Sequence, residues 1–517
     1  MDRRHLLQLA AATATTLWLP RSAWSQPKFT SNPFTLGVAS GSPTHDSVVL
    51  WTRLVVPGGA LTEAATVRWE VARDEAFKDI VKSGQSQALP ELGHSVHAEV
   101  GGLEPDRWYF YRFFAGDERS PVGRTRTFPA PDAMATRLRL AYASCQRWEH
   151  GYFTAYRHML NEQLDAVLFL GDYIYEYPGA KDAVRPVPGG WVLTLDDYRR
   201  RYELHKSEPE LQAMHAACPW IVTWDDHEVQ NDYAGLHVGE NGPEVKDFPA
   251  RRAAAYQAFY EHMPLRSSVL TQAVAGLRQG AETRIYGELR FGRLASFYVL
   301  DDRQYRDLHA CTKDGKPGSS SVDVASCPLL ADPKRTLLGA PQEAWLDQAF
   351  ARAGQGWNII TQQTLFAPRV APTPDKTIVW NDGWDGYPAA RQRLVDSLRK
   401  RELRNAVLLG GDVHENWVGH VKADFAEAKS PNVAVEFCGT SITSRSGGND
   451  KMAERLARNP HFVFADGERK GYGVCEFTPK RMSTALRVVS DVTKKDAGIE
   501  TLASFVVEAG VPKIERA

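Results

Sequence analysis

Four short apolar runs in this chain each stop at residues able to ligate a metal: LRLAYASC (138–145), AVLFLGDYIYEY (166–177), WIVTWDDHE (220–228) and AVLLGGDVHE (406–415). Together they offer Cys145, Asp172, Tyr175, Asp225, Asp226, His227, Asp412 and His414. Thiolate, phenolate, carboxylate and imidazole are cation ligands, and bound cations activate water toward an ester. A phenol deprotonates unaided only at a pH of about 10, so a tyrosinate at position 175 points to a strongly Lewis-acidic ion, of which ferric iron is the usual case. A helical turn after Gly171 would put Asp172 and Tyr175 on one side, three residues apart. Asp412 and His414 alternate along what reads as extended chain and would face one side. In WDDHE, one carboxylate suits a second ion, and His227 suits a hydrogen bond to an oxyanion or a proton for a leaving group. Asn231 and Asp232 are further, weaker ligand types, and Glu415 and Asn416 are of a type that supports ligands from behind.

Taken singly, each feature has an ordinary structural reading. A strand-terminal Cys or Asp is commonly structural, and an Asp before a polar turn is commonly a helix cap. Grouping changes the balance, because open α/β folds place their chemistry beyond the carboxyl ends of the strands.

The elements that must carry these ends are legible from periodicity. From Phe34 to about Ala130 short alternating runs rich in aromatic and β-branched residues recur between turns, as in SVVLWTRL (47–54), TVRWEVAR (66–73) and WYFYRFFAG (108–116). This predicts a small all-β domain over 33–130, a sandwich of immunoglobulin or fibronectin character. After the linker PAPDAMATR (129–137), strands alternate with amphipathic stretches such as YFTAYRHMLNEQL (152–164) and YPAARQRLVDSLRKREL (387–403). That alternation predicts a layered α/β domain over 137–490, followed by a tail over 491–517 able to form a helix or a strand near the site mouth.

The 517 residues, 43% hydrophobic and 10% aromatic, suffice for a sizeable core. Residues 1–25 stand apart: Arg3-Arg4 precedes LLQLAAATATTLWL (6–19) and the small-residue stretch Ala23-Trp24-Ser25. This reads as an export signal of twin-arginine type, with the general secretory route as the alternative. No later run approaches the ~18 apolar residues of a membrane span, so the mature chain is expected to carry no transmembrane anchor and to be periplasmic or secreted. Loss of residues 1–25 moves the formal charge from −1 to −3, which gives no sign of a nucleic-acid partner. Cys311 and Cys327 flank a polar, turn-rich loop that a disulfide would staple.

The chain resembles the PhoD-like alkaline phosphatases, a branch of the calcineurin-like metallophosphoesterases. The resemblance rests on LGVASGSP (36–43), VLWTRL (49–54), ASCQ (143–146), GDYIYEY (171–177), WDDHEVQND (224–232), LDDRQYR (300–306), WDGYP (384–388), GGDVH (410–414) and EFCGTSITS (436–444). It implies a four-layer α/β/β/α sandwich, an exported phosphatase or phosphodiesterase, and a phosphate-ester substrate attacked by a metal-activated water. It further implies that Asp172 bridges the metals, and that Cys145, Tyr175 and His414 or Asp412 hold Fe3+. Asp226 would take the place of the superfamily's ligand asparagine and His227 that of its catalytic histidine. Ca2+, also used by family members, would suit the oxygen donors of Asp172, Asp226, Asn231 and Asp412. LDDRQ stands where LDTRQ is commoner, which leaves the role of Asp302 open. Arg303 is of a type to clamp phosphate with its forked donors, or equally to form a structural salt bridge. A second reading keeps this site but makes the substrate a phospholipid or a teichoic-acid-like polymer, as some relatives suggest.

Overall fold

The apolar runs that end in polar clusters form the middle of two large sheets. In the computed structural model, which describes residues 28–56, 61–270 and 283–517, the strands Leu138–Ala143, Ala166–Phe169 and Trp220–Val222 run parallel and adjacent. Val167 pairs with both Ala141 and Trp220, so the three strands stop near one level. The first sheet has ten strands; beyond Leu138–Ala143 it continues antiparallel through Gly471–Phe477, Arg481–Val489 and Ile499–Glu508. The second has seven, with a parallel middle of Ala295–Val299, Trp357–Thr361, Ala406–Gly410 and Asn432–Cys438. The export segment read at residues 1–25 lies outside the described residues.

Alternation along each strand divides its side chains between two cores. Leu138, Leu140 and Tyr142 pack with Phe297, Ile359, Val407 and Phe437 of the other sheet. Ala141 and Ala143, pointing the opposite way, pack with Tyr156, Met214 and Phe259 from the helices Thr154–Met159, Pro209–Ala217 and Phe248–His262. On the second sheet Tyr298, Ile360 and Leu408 meet Leu346, Phe350, Leu394 and Leu398 from Ala340–Ala351 and Pro388–Lys400. Strands covered on both faces need near-continuous apolar sequence, which explains runs such as AVLFL and AVLLG. Each such Leu or Ile contributes about 1.5–3 kcal/mol through burial, and together they hold the strand ends in place against the charge gathered there.

The N-terminal region is all β, as expected, but it is not separate from the rest. Ala65–Ala72, Ile80–Ala88 and Trp108–Ala115 form a sheet of their own, and Tyr109, Tyr111 and Phe113 of its alternating strand pack on Val48, Leu50, Val96 and Ala98. Those partners belong to Val48–Arg53 and Ser95–Val100, which with Val38–Gly41 extend the ten-stranded sheet. The junction is Gly41 opposite Trp220. A Cβ at position 41 would lie 2.6 Å from the Trp220 carbonyl and 2.7 Å from Pro264, so only glycine permits this approach. The segment read as a tail is likewise a strand of this sheet, Ile499–Glu508.

Cys311 and Cys327 are joined by a disulfide across a sequence separation of 16. Closing a loop of that length restricts the unfolded chain and stabilises by about 3 kcal/mol. Replacing both cysteines by serine is expected to lower the free energy of unfolding by about that amount in urea titration; an unchanged midpoint would show that the loop is held by other contacts.

Candidate metal centre

At the strand ends the backbone turns sharply and four of the predicted ligands sit in the left-handed region: Cys145 (φ 61°), Asp172 (φ 57°), Asp412 (φ 65°) and His414 (φ 57°). Non-glycine residues are rarely held there, and such positions cluster where function requires them. The turns brace one another through the main chain, with Cys145 N–H donating to the Gly171 carbonyl at 3.1 Å and Ser444 N–H to the Cys145 carbonyl at 3.2 Å. Gly171 has φ 108°, and a Cβ on it would lie 2.4 Å from that of Asp225. Glu228, fully buried, accepts N–H bonds from Asp172 (3.1 Å), Tyr173 (2.6 Å) and Asp225 (2.8 Å), tying two of the turns together.

The side chains converge. Tyr175 Oη donates to Asp172 Oδ2 at 2.8 Å and lies 3.2 Å from His414 Nε2 and 2.7 Å from Ser444 Oγ. Neither 172–175 nor 412–414 has the regular geometry expected from sequence. Residues 172–175 are not helical and 412–414 are not extended; the left-handed turns bring the pairs together instead. Among the described residues, four groupings have ligand atoms within 4.8 Å of one another: Cys145, Asp172 and His414; Asp172, Asp226 and His227; Asp225, Asp226 and Asp412; and Asp226, Asp232 and Asp382. Three buried carboxylate oxygens in them, Asp172 Oδ1, Asp225 Oδ2 and Asp226 Oδ1, have no hydrogen-bond partner among the described residues. Orphaned anionic oxygens at such density are costly unless a cation completes them, so these residues fit a metal site.

Fixed acceptors orient two histidine rings. His414 Nδ1 is 2.8 Å from the Arg445 carbonyl, which can only accept, so Nδ1 carries a hydrogen and Nε2 faces Tyr175 and Asp172. His227 Nδ1 is 2.7 Å from the buried Glu176 carboxylate, which leaves Nε2 as its exchangeable position. Glu176 also accepts the Asn231 N–H at 2.8 Å.

Burial dominates the titration of the cluster. It pushes the Cys145 thiol and the Tyr175 phenol well above their ordinary values, and the adjacent Asp172 carboxylate adds to both shifts. It raises Asp226 to about 6 against the pull of Arg303, and raises Asp225 further. For Asp172 burial is overcome by His227 and His414, which hold it below the usual carboxylate range. For His227 burial is overcome by Glu176, Asp172 and Asp226, which raise it to about 10.

Arg303 is where expectation and structure part. It is 1% exposed, and its donors are taken by Asp225, by Asp382 at 2.7 Å and by Asp412 at 3.3 Å. Each of its three side-chain nitrogens donates to a carboxylate, so it neutralises part of the site's negative charge from within the protein. Glu415 turns away from the cluster to Arg369, Arg455 and Trp417. Asn416 receives the Thr440 N–H and supports the loop after Asn432–Cys438. Asn231 is half-buried beside Glu176. Asp302 is buried against Gln363.

Residues the motif reading passed over complete the set. Asp382 binds Arg303, Arg306 and His309, yet in WNDGWDG it looks like an ordinary turn former. Glu176 stood within GDYIYEY but was overshadowed by its neighbours; its signal was a carboxylate next to a predicted ligand. Thr364, which donates to Asp412 Oδ2 at 2.7 Å, had no signal at all.

The candidate ligands thus converge at the carboxyl ends of parallel strands, where α/β folds place their chemistry. The family model for the PhoD-like phosphatases matches residues 140–486, and that for their N-terminal domain matches 20–129. The chain is 46% identical to alkaline phosphatase D of Bacillus subtilis (strain 168), over 98% of this chain and 88% of that protein. A solved structure described as PhoD superposes with a TM-score of 0.87 at 45% identity, over 95% of this chain and 93% of that one. The chain belongs to the PhoD-like phosphatase family.

Two outcomes follow from these contacts. Asp382→Ala leaves buried Arg303 and Arg306 short of a counter-charge and is expected to cost about 3–5 kcal/mol in chemical denaturation; a loss under about 1 kcal/mol would mean that Asp382 carries little of the balance. Because Asp226 holds a proton below about pH 6, and protons compete with cations, metal retention should rise with pH through 6. Elemental analysis after dialysis at pH 5 and pH 8 reads this, and equal retention would contradict it.

Proposed function

We propose that this PhoD-like phosphatase hydrolyses phosphate esters at a metal centre held by Cys145, Asp172, Tyr175, Asp226, Asn231, Asp412 and His414, with His227 as proton donor. The proposal rests on one observation above others: among the described residues, carboxylate oxygens of Asp172, Asp225 and Asp226 lack partners in groupings that also hold the Cys145 thiol and the imidazoles of His227 and His414. Sulfur and phenol donors suit Fe3+, and the oxygen-only groups around Asp226 suit Ca2+. The two sheets with helices on their outer faces are read as the four-layer α/β/β/α sandwich of metallophosphoesterases, and the N-terminal strands as an immunoglobulin or fibronectin type of sandwich.

Bound cations supply Lewis acidity, polarising the phosphoryl group and lowering the pKa of water next to it. The chain does the rest. Asp172, held ionised, belongs to two of the four ligand groupings, that with Cys145 and His414 and that with Asp226 and His227. Tyr175 would lose its proton to solvent as a cation binds, and Ser444 Oγ, 2.7 Å away, could then turn its one hydrogen from the Cys145 carbonyl to the phenolate. Glu176 keeps His227 charged and orients it, so that Nε2 can give its proton to the leaving oxygen. Arg303 holds Asp225, Asp382 and Asp412 in fixed positions, which preorganises the site.

We also propose export by the twin-arginine machinery through residues 1–25, to the periplasm or beyond. In support, among the described residues no helix is long and apolar enough to cross a membrane, and the Cys311–Cys327 disulfide suits an oxidising compartment.

Asp172→Ala is expected to lose bound metal and at least ~10^3-fold in kcat/KM on a chromogenic phosphate ester, about 4 kcal/mol of transition-state stabilisation, with the far-UV spectrum unchanged. In the loaded protein a visible charge-transfer band should weaken in Tyr175→Phe. A colourless, fully active enzyme, or turnover retained in Asp172→Ala, would overturn the assignment.

A further inference from the structure

With Arg303 enclosed among carboxylates, a second guanidinium beside the cluster, that of Arg147, is differently placed. It lies two residues after Cys145, in the turn that delivers the thiol. Its N–H donates to Ser444 Oγ at 3.3 Å, the same hydroxyl that meets Tyr175. Its guanidinium sits 4.7 Å from the centroid of the Tyr177 ring and 5.4 Å from that of Tyr175. His227 packs on those same two rings, at 5.2 Å and 4.1 Å. Arg147 and the proposed proton donor therefore share one aromatic support, next to the hydroxyl that contacts Asp172 and His414.

The donors of Arg147 are divided in a way that those of Arg303 are not. Nε is fixed by the buried Glu149 at 2.6 Å. Among the described residues its two terminal amino groups have no partner, and the side chain is 20% exposed. A guanidinium anchored at Nε, stacked on aromatic faces and open at its two terminal nitrogens is preorganised to fork onto a tetrahedral oxyanion. The rings also limit its hydration, which strengthens the contact.

We propose that Arg147 is the substrate-binding cation of this site, taking non-bridging phosphoryl oxygens of the ester with its terminal amino groups, and that Glu149 is its positioning residue. The proposal rests on the phosphate-ester reading above and deepens it. It also assigns to Arg147 the phosphate contact that the motif LDDRQYR had suggested for Arg303.

The test uses the full, metal-loaded protein, with turnover of a chromogenic phosphate ester and competitive inhibition by inorganic phosphate as readouts. Arg147→Ala is expected to raise the inhibition constant for inorganic phosphate and KM by at least ~10-fold, about 1.4 kcal/mol of lost binding, with metal content unchanged. Arg147→Lys should recover part of both, since it keeps the charge and loses the fork. Glu149→Gln keeps the size of the anchor and should raise KM less than Arg147→Ala does. An Arg147→Ala enzyme with wild-type phosphate inhibition overturns the proposal; so does equal weakening in Arg147→Ala and Arg147→Lys accompanied by metal loss, which would mark a structural role. Failure of the underlying reading would be seen separately, as absence of turnover by the unsubstituted protein.

Discussion

Six aspartates, Asp172, Asp225, Asp226, Asp232, Asp382 and Asp412, are gathered into the ligand groupings at the ends of the central strands, and what the fold must do is make that density of negative charge tolerable. Arg303 answers part of it by contacting Asp225, Asp382 and Asp412 at once. Burial answers another part by raising Asp225, Asp226 and Asp412, so that some acids keep their protons. The remainder, visible as carboxylate oxygens without partners among the described residues, is the share the proposed cations would take. Metal affinity and fold stability are thus two sides of one electrostatic balance.

The scaffold resists the repulsion by rigidity. Two sheets share one apolar core, and the turns leaving them are cross-braced by main-chain bonds and by Glu228. Strain at Cys145, Asp172, Asp412 and His414 persists because so many contacts determine those turns at once. The N-terminal strands contribute to this rigidity, since Gly41 lets them continue the sheet at Trp220. Arg53 of that region also reaches Glu203 and His262 in the larger part of the chain.

Sequence made the candidate ligands readable because each follows an apolar run, and strand ends are where such folds do chemistry. The regular elements were equally readable: the periodic stretch at 387–403 contains the helix Pro388–Lys400, and the run after residue 491 does contain a strand. Partners brought in by tertiary packing were not. Asp382 looked like a turn residue, Thr364 like part of a strand exit, and Arg147 like a basic residue in a loop. Side-chain direction was the other blind spot: Glu415 neighbours His414 in sequence but turns to Arg369 and Arg455, while Arg303 lies deep where a substrate contact was conceivable. Left-handed backbone at Asp172 and Asp412 is set by the packing of turns against one another, which no local propensity reports.

The central claim is that distant strand ends supply one shared coordination environment. A crystal of the native protein, with anomalous scattering recorded on both sides of the iron absorption edge, tests it directly. The account predicts an iron peak within bonding distance of Cys145 Sγ, Asp172 and Tyr175 Oη, with oxygen-coordinated density beside Asp226. Density free of ordered cations in an active crystal, or iron bound elsewhere on the chain, would contradict it.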